Sequence, residues 1–427
     1  MAKNKVIFWH RRDLRIEDNH GLFEANLQFD EVIPIFIFDD QILNQLAPDD
    51  ARVTFIYQQI TILKKAYQSV GSDLHVYYGN PLILLPQLVE KFQVQGLFFN
   101  KDYEPYARKR DGELFKYFSN SIQFQGFKDH VIFEKKEIVK ADGTPYLVFT
   151  PYSKKWKEVY HQTEHKPFSI STHHFIQLDP IPMLSYPDIQ MVLNTQITFP
   201  ESLIAEEIIT HYDQKRNFPA IKGTSRLGLH LRFGTISIRN LVAYASITNE
   251  VFLHELIWRE FYQMLIYFFP HTAHQAFKPK FDAIPWKNDE HDFKLWCEGR
   301  TGYPIVDAGM RELNQTGFMH NRVRMIVASF LTKHLLIDWR WGEAYFAQKL
   351  LDYEQASNIG GWQWAAGCGC DAAPYFRVFN PTAQQEKFDP KFEYIKKWIP
   401  ELGTKDYPEP IVEHKFARDR YLSLFKN

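Results

Sequence analysis

In residues 352–381, DYEQASNIGGWQWAAGCGCDAAPYFRVFNP, two tryptophans stand one residue apart, Trp362 and Trp364, behind the pair Gly360 and Gly361. Asp352 and Glu354 precede them, Asn358 lies between, and Asp371, Tyr375, Arg377 and Asn380 follow. Glycines here let the backbone approach something flat or take a positive φ. Indoles beside them could stack on a planar ligand or carry an electron; a tight turn filled with core aromatics is the plainer reading. A second group lies in 253–268, LHELIWREFYQMLIYF. On a helix, Glu255, Trp258, Arg259 and Tyr262 fall at i, i+3, i+4 and i+7 on one face. An acid, an indole and a cation make a poor core stripe, and a salt-bridged outer face has no use for the tryptophan. They read as a cleft wall offering a stacking plane, a hydrogen-bonding acid and a cation, which suits a base swung out of a duplex.

Two further stretches carry polar chemistry. Residues 212–239 interleave Arg216, Arg226, Arg232 and Arg239 with glycines and hydroxyls. Thr224 or Ser225, directly after Gly223, is expected to cap a helix. A helix start with free N–H groups and a nearby arginine suits a diphosphate; capping by itself is the plainer reading. In the segment after Gly317, Asn321 and Met325 are four apart and share a helical face, so both can look into one cavity. Met325 could equally be a gap-filler of a core. Arg324 is the expected partner of a buried carboxylate such as Asp352.

These residues need elements to hold them. Residues 5–130 alternate apolar runs (6–9, 32–38, 74–78, 96–100, 122–127) with stretches of helical spacing (52–70, 81–92, 104–118), which predicts a parallel sheet with helices on both faces. Such sheets bind ligands beyond the strand C-termini. The loops at 10–15 and 101–105 stand there, but neither is a glycine-rich phosphate loop. Ordinary loop chemistry would pair Asp13 with Arg15. Residues 131–200 carry several prolines and little periodicity and read as a connector on the surface. From about residue 201 the chain reads helical, with two helices across 301–336 parted near Gly317. The expected organisation is an α/β domain over 1–130, a connector over 131–200 and an all-α domain over 201–427.

Composition bounds the rest. With 427 residues and 45% hydrophobic content the chain supports two cores. Net charge is −1, and residues 201–427 hold 28 Lys and Arg against 27 Asp and Glu, so any nucleic-acid site must be a local patch. Eight of the ten tryptophans follow residue 201, which points to a C-terminal half built around something aromatic. Three cysteines, Cys297, Cys368 and Cys370, suit a reducing compartment and no disulfide framework; Cys368 and Cys370 read as small buried thiols and not as metal ligands. The start, MAKNKVIFWH, runs straight into a strand, with no signal peptide and no membrane span, so a cytoplasmic protein is expected.

Taken together, 352–381, FWHRRDLRIEDN (8–19), TPYLVFTPYSKKW (144–156), TSRL (224–227) and MHNRVRM (319–325) resemble the DNA photolyase and cryptochrome family, most of all the bacterial class I cyclobutane pyrimidine dimer photolyases. The likeness runs from residue 6 to about residue 401. It implies a five-stranded doubly wound sheet carrying an antenna chromophore, then a helical domain holding one noncovalent FAD. The antenna could be folate, deazaflavin or FMN; Asp102 and Glu104 look like the deazaflavin pattern, and Tyr106-Ala107 departs from the folate one. The resemblance puts Tyr212, Thr224, Ser225, Arg226, Leu227, Gly228, Phe252, Glu255, Arg259, Phe318, Asn321, Arg324, Asp352, Tyr353, Glu354 and Asn358 at the flavin. It puts Arg216, Glu255, Trp258, Arg259, Tyr262, Asn321, Arg322, Arg377 and Gln384 at the DNA. Glu255, Trp258, Asn321, Met325, Asn358 and Trp364 are its catalytic set, and Trp362, Trp339 and Trp286 its electron wire from flavin to surface.

The implied reaction is light-driven. Reduced flavin gives one electron to a flipped-out dimer held between Trp258 and Trp364 and hydrogen-bonded to Glu255; the ring opens and the electron returns. Asn358, beside flavin N5, could offer either end of its carboxamide. The chain departs from the family pattern at His10, Gly228 (usually serine), His254 (asparagine), Phe318 (often tryptophan) and Glu354 (usually aspartate). Asn321 in place of histidine argues against (6-4) photoproducts. A cryptochrome-type photoreceptor is the alternative; the complete lesion wall and the short 46-residue tail after Pro381 favour repair of damaged DNA by a monomer without an obligate protein partner.

Overall fold

The computed structural model describes residues 3–425. They divide into two compact units that interleave in sequence. Met1–Ile138, Trp156–Ser202 and Leu227–Tyr244 make the first, and Val139–Lys155, Leu203–Arg226 and Ala245–Asn427 the second. The single connector expected at 131–200 is therefore divided: 139–155 packs with the second unit and 156–200 with the first.

The first unit is built on five parallel strands, β1 (Lys5–His10), β2 (Glu31–Asp39), β3 (His75–Gly79), β4 (Gly96–Asn100) and β5 (Gln123–Phe127), in the order β3-β2-β1-β4-β5. Val6 pairs with Val32 on one side and Gly96 on the other. Side chains alternate between the sheet's faces, so Val6, Phe8, Phe36 and Phe38 enter one core while Ile7, Trp9, Ile35 and Ile37 enter another. Ala51–Gln68 covers the first core, and Pro81–Phe92 and Pro105–Phe118 cover the second. A nine-residue helix the pattern did not announce, His20–Gln28, is capped by Asn19, whose side chain accepts from Leu22 N.

Asp13 and Arg15 do not pair with each other. Buried Asp13 takes amide hydrogen bonds from Asn100 (2.6 Å) and Asn19 (3.1 Å), while Arg15 reaches Asp129 at 2.8 Å. Nearby, Arg12 binds Asp102 at 3.0 Å and Arg232 binds Glu104 at 3.3 Å.

The second unit is helical. The helices that matter to the site are α1 (Glu250–Phe268), α2 (Pro304–Thr316), α3 (Asn321–Ser329), α4 (Trp339–Lys349) and α5 (Gln355–Ala366). Asn249 caps α1 by accepting from Val251 N and Phe252 N. Pro304 starts α2, and Gly317 ends it with φ +65°. His320 caps α3, and a single π-turn, Phe330–His334, continues it. Among the described residues no helix is long and apolar enough to cross a membrane, and no three His, Cys, Asp or Glu gather to hold a metal. Burial pushes the thiols of Cys368 and Cys370 up to about 12.

Candidate active site

Glycines 360 and 361 lie inside α5 with ordinary helical backbone, so the tight turn is excluded. The two do different work. A Cβ at Gly360 would overlap the Tyr262 ring, so this glycine lets α5 close on α1; a Cβ at Gly361 would meet nothing within 4 Å. Gly361 opens instead onto a cleft of about 430 Å³.

That cleft gathers most of the residues singled out above. From α1 come Glu255, Trp258, Arg259 and Tyr262, the whole face that helical spacing put together. Asn321, Arg324 and Met325 come from α3; Asp352, Tyr353 and Glu354 precede α5, which adds Asn358, Trp362 and Trp364; Arg216 completes the charged rim. Ala328, Phe346, Leu350 and Ser357 also line it and carry no motif that would have marked them.

Ion pairs fix the wall. Arg324 holds Asp352 at 2.9 Å, the pairing expected from sequence. Arg259 holds Glu354 at 2.8 Å, and the same carboxylate accepts from Ser357 Oγ at 3.0 Å. Arg216 Nη1 lies 2.5 Å from Glu255 Oε1 and stands over the ring of Tyr212, which meets Phe252 edge to face. Burial, and then the charges of Arg324, Arg322, Arg226 and Arg216, push His320 down to about 4. Around His320 four arginines therefore gather, while within the cleft lining Arg216, Arg259 and Arg324 are each paired with a carboxylate.

Other expected residues stand outside the cleft lining. Arg322 bonds Asn217 and covers Phe388, Arg226 lies over Phe318, and Gln384 sits in the first turn of Pro381–Phe388. Trp339 is buried at the start of α4, and Trp286 is partly exposed in a loop. Thr224 and Ser225 cap no helix. The helix they precede starts at Gly228 with Leu227 in the cap position and no side-chain cap bond, because Arg226 at φ +56° turns the chain between them.

Three residues that sequence reasoning missed shape the site. Phe149 stacks on Trp258 with centroids 3.8 Å apart and planes 6° apart, fixing the indole's tilt. It lies in 139–155, the part of the expected connector that packs with the second unit. Lys333, buried on the π-turn, donates to the backbone carbonyl of Arg377 at 2.9 Å and so anchors that loop; burial pushes it down to about 8. Glu343 on α4 accepts from Asn358 Nδ2 at 2.9 Å, and its own backbone carbonyl accepts from the same nitrogen at 3.2 Å. A backbone carbonyl only accepts, so the amide nitrogen of Asn358 is committed to Glu343 and its oxygen is the end left to offer. The either-end role expected for Asn358 is thereby narrowed to one.

Burial raises the Glu343 carboxyl above its usual range, against hydrogen bonds from Asn358 and Tyr353 that favour its ionised form. A raised folded pKa means the folded chain binds more protons than the unfolded one. The contribution to stability is present below the unfolded pKa and lost as pH rises through the folded one. Glu343→Gln keeps the acceptor oxygen and removes the charge. Denaturant unfolding of the variant should lack the parent's decline over that window; parallel profiles would rule out this titration.

Comparison with known proteins agrees with this geometry. Residues 6–169 match the family model "DNA photolyase", and residues 252–405 match "FAD binding domain of DNA photolyase". A deoxyribodipyrimidine photo-lyase of Synechococcus sp. is 37% identical, over 98% of this chain and 96% of that protein. A class III photolyase from Agrobacterium tumefaciens superposes with a TM-score of 0.86 at 31% identity, over 100% of this chain and 98% of the other. An archaeal photolyase from Sulfolobus tokodaii, solved with two FAD molecules, gives 0.85 at 35% identity, over 99% of this chain and 100% of the other. With both family models matched and relatives aligned nearly end to end, the chain belongs to the DNA photolyase family.

Proposed function

We propose that this chain is a light-driven deoxyribodipyrimidine photo-lyase, holding one noncovalent FAD in its second unit and splitting cyclobutane pyrimidine dimers in DNA. The observation that carries this is a single cleft with two kinds of wall. Glu255, Trp258, Asn321, Met325 and Trp364 offer stacking planes and polar groups for an extruded base pair. Gly361, Asn358, Asp352 and Trp362 line the rest of the cleft, with open space over Gly361 and the Asn358 nitrogen committed to Glu343, which leaves its oxygen to accept. The residues present fit a flavin: the space over Gly361 is what a Cβ would fill, and the Asn358 oxygen suits a protonated ring nitrogen.

Bound reduced flavin supplies the light absorption and the electron that opens the cyclobutane ring. The chain's own part is placement. Glu255, held by Arg216, accepts hydrogen bonds from the N–H groups of the dimer, and the Arg216 guanidinium beside it offsets the negative charge the dimer gains. Trp258, backed by Phe149, and Trp364 keep the two pyrimidines in van der Waals contact and exclude water. Arg259 and Glu354, paired at 2.8 Å, brace the recess beneath. Arg216, Arg259, Arg322, Arg377 and Gln384 grip the phosphates beside the lesion, so affinity falls with rising salt. The complete dimer wall favours repair over a cryptochrome-type signalling role.

The first unit is read as the site of a second chromophore, outside the C-terminal ends of its strands, where the order reverses between β1 and β4. An absorption spectrum of the purified protein distinguishes folate, deazaflavin and FMN. The free thiols Cys297, Cys368 and Cys370 suit the bacterial cytoplasm, and the enzyme is read as a monomer.

Trp258→Ala tests the lesion wall. Loss of base stacking should cost roughly 1–3 kcal/mol in affinity for dimer-containing DNA. Binding of undamaged DNA should be nearly unchanged. Equal losses on both in a titration would contradict the assignment.

A further inference from the structure

Phe149 opens the helix Phe149–Gln162, and its backbone N–H is one of those at a helix start that no carbonyl of the helix can take. A carboxylate 222 residues further along the chain takes it instead: Asp371 Oδ2 accepts at 2.9 Å. Two residues earlier, the carbonyl of Leu147 accepts from Cys370 Sγ at 3.0 Å. Two neighbours, Cys370 and Asp371, therefore clip the short segment that carries the ring stacked on Trp258.

The clip is itself tied to the other wall tryptophan. Gly367, at φ +87°, ends α5 just after Trp364. Cys368 N and Gly369 N then both donate to the Gln363 carbonyl at 3.0 Å, and Ala373 N donates to the Trp364 carbonyl at 3.3 Å. The Gln363 carboxamide is held in turn. Its nitrogen donates to the Thr272 and Gln275 carbonyls and its oxygen accepts from Phe277 N, all at 3.0 Å. Trp258 and Trp364, with Tyr262, Gly360, Cys370 and Asp371, also line a second cavity of about 30 Å³. That is space for only a water or two, so this loop packs closely against both indoles.

We infer that Asp371 is a positioning residue for dimer recognition. Through the Phe149 amide it sets the plane of Trp258, and through the loop that leaves Trp364 it fixes the gap between the two indoles. Cys370 shares the task through Leu147. This rests on the repair reading of the cleft. Dispersion contacts weaken steeply with a gap of an ångström or less, so an indole free to tilt holds a base less well than one backed by a parallel ring. The competing account is that the two bonds only tie down a loop. It predicts lower stability and no change in the choice between damaged and undamaged DNA.

The test titrates the FAD-loaded chain, in darkness, against a labelled duplex with one cyclobutane thymine dimer and against its undamaged counterpart. Asp371→Ala should weaken dimer binding about tenfold, within what a lost base stack costs, and leave undamaged DNA as in the parent. Asp371→Asn loses the same charge but keeps an acceptor oxygen for the Phe149 N–H, so it should retain the parent's preference. The contrast separates the hydrogen bond from repulsion between a carboxylate and phosphates. Cys370→Ala, at a partly exposed position, should lose preference in the same direction and to a smaller extent, which keeps the test independent of how Asp371→Ala folds. Phe149→Leu should lose at least as much as Asp371→Ala, and the double variant no more than Phe149→Leu alone, since Asp371 acts through that residue. Equal losses on both DNAs in Asp371→Ala, an Asp371→Asn as impaired as Asp371→Ala, or additive losses in the double variant overturns the positioning role. So does a dimer preference untouched by Asp371→Ala. A parent chain with no dimer preference overturns the repair reading, and the positioning role with it.

Discussion

Arg259→Ala should destabilise the second unit by about 3–5 kcal/mol, the cost of leaving one member of a buried ion pair without its partner. Arg259 and Glu354 are 12% and 5% exposed at the side chain and 2.8 Å apart. Ser357 Oγ supplies a neutral hydrogen bond to Glu354 but no compensating charge. Breaking a pair and deleting it are different experiments. Arg259→Met/Glu354→Leu removes both charges and fills similar volume, so it should recover most of the loss. Denaturant unfolding of the two singles and the double gives the coupling energy directly. A single variant within about 1 kcal/mol of the parent would place the pair with weak surface bridges. The double variant should nonetheless bind FAD poorly, since both residues line the recess.

Gly361→Ala and Gly342→Ala should separate folding from ligand binding. At Gly361 the added methyl meets nothing within 4 Å, and glycine in an exposed helix interior costs about 0.5–1 kcal/mol relative to alanine. The ligand-free variant should therefore be as stable as the parent or slightly more so. The methyl projects into the recess, so FAD retained through purification should fall sharply. Gly342 is the opposite case. A Cβ there would overlap the Trp362 indole and lie 2.6 Å from Leu331 Cδ2, an overpacking worth about 1–3 kcal/mol, felt with or without ligand. Flavin content and unfolding midpoints of both variants check this. Full FAD occupancy in Gly361→Ala would mean that no flat ligand lies over that glycine.

The sheet is legible in the sequence because a parallel strand buried on both faces must be written as a continuous apolar run. Val6–Trp9 and Gly96–Asn100 are such runs. The α1 face is legible for a related reason: Glu255, Trp258, Arg259 and Tyr262 are brought together by helical geometry and need no tertiary information. The helix His20–Gln28 is not, since its buried positions, Gly21, Leu22, Ala25 and Asn26, include only one large apolar side chain and so write little hydrophobic periodicity. The Thr224–Ser225 cap misleads because capping depends on where the helix starts, and that start is set by the positive φ of Arg226, which arginine seldom adopts. Phe149 and Glu343 stay hidden because their roles come from contacts between distant segments. The orientation of Asn358 and the stacking plane behind Trp258 belong to the fold and to no local word.

The most direct test of light-driven repair is a duplex oligonucleotide with one cyclobutane thymine dimer, incubated anaerobically with the FAD-loaded, chemically reduced chain in blue light and in darkness. Dimer content is then measured by chromatography. The proposal predicts restoration of the two thymines in light only, with many turnovers per chain. An unaltered dimer in light, despite bound reduced flavin and measurable lesion binding, would contradict it, as would equal loss of the dimer in the dark.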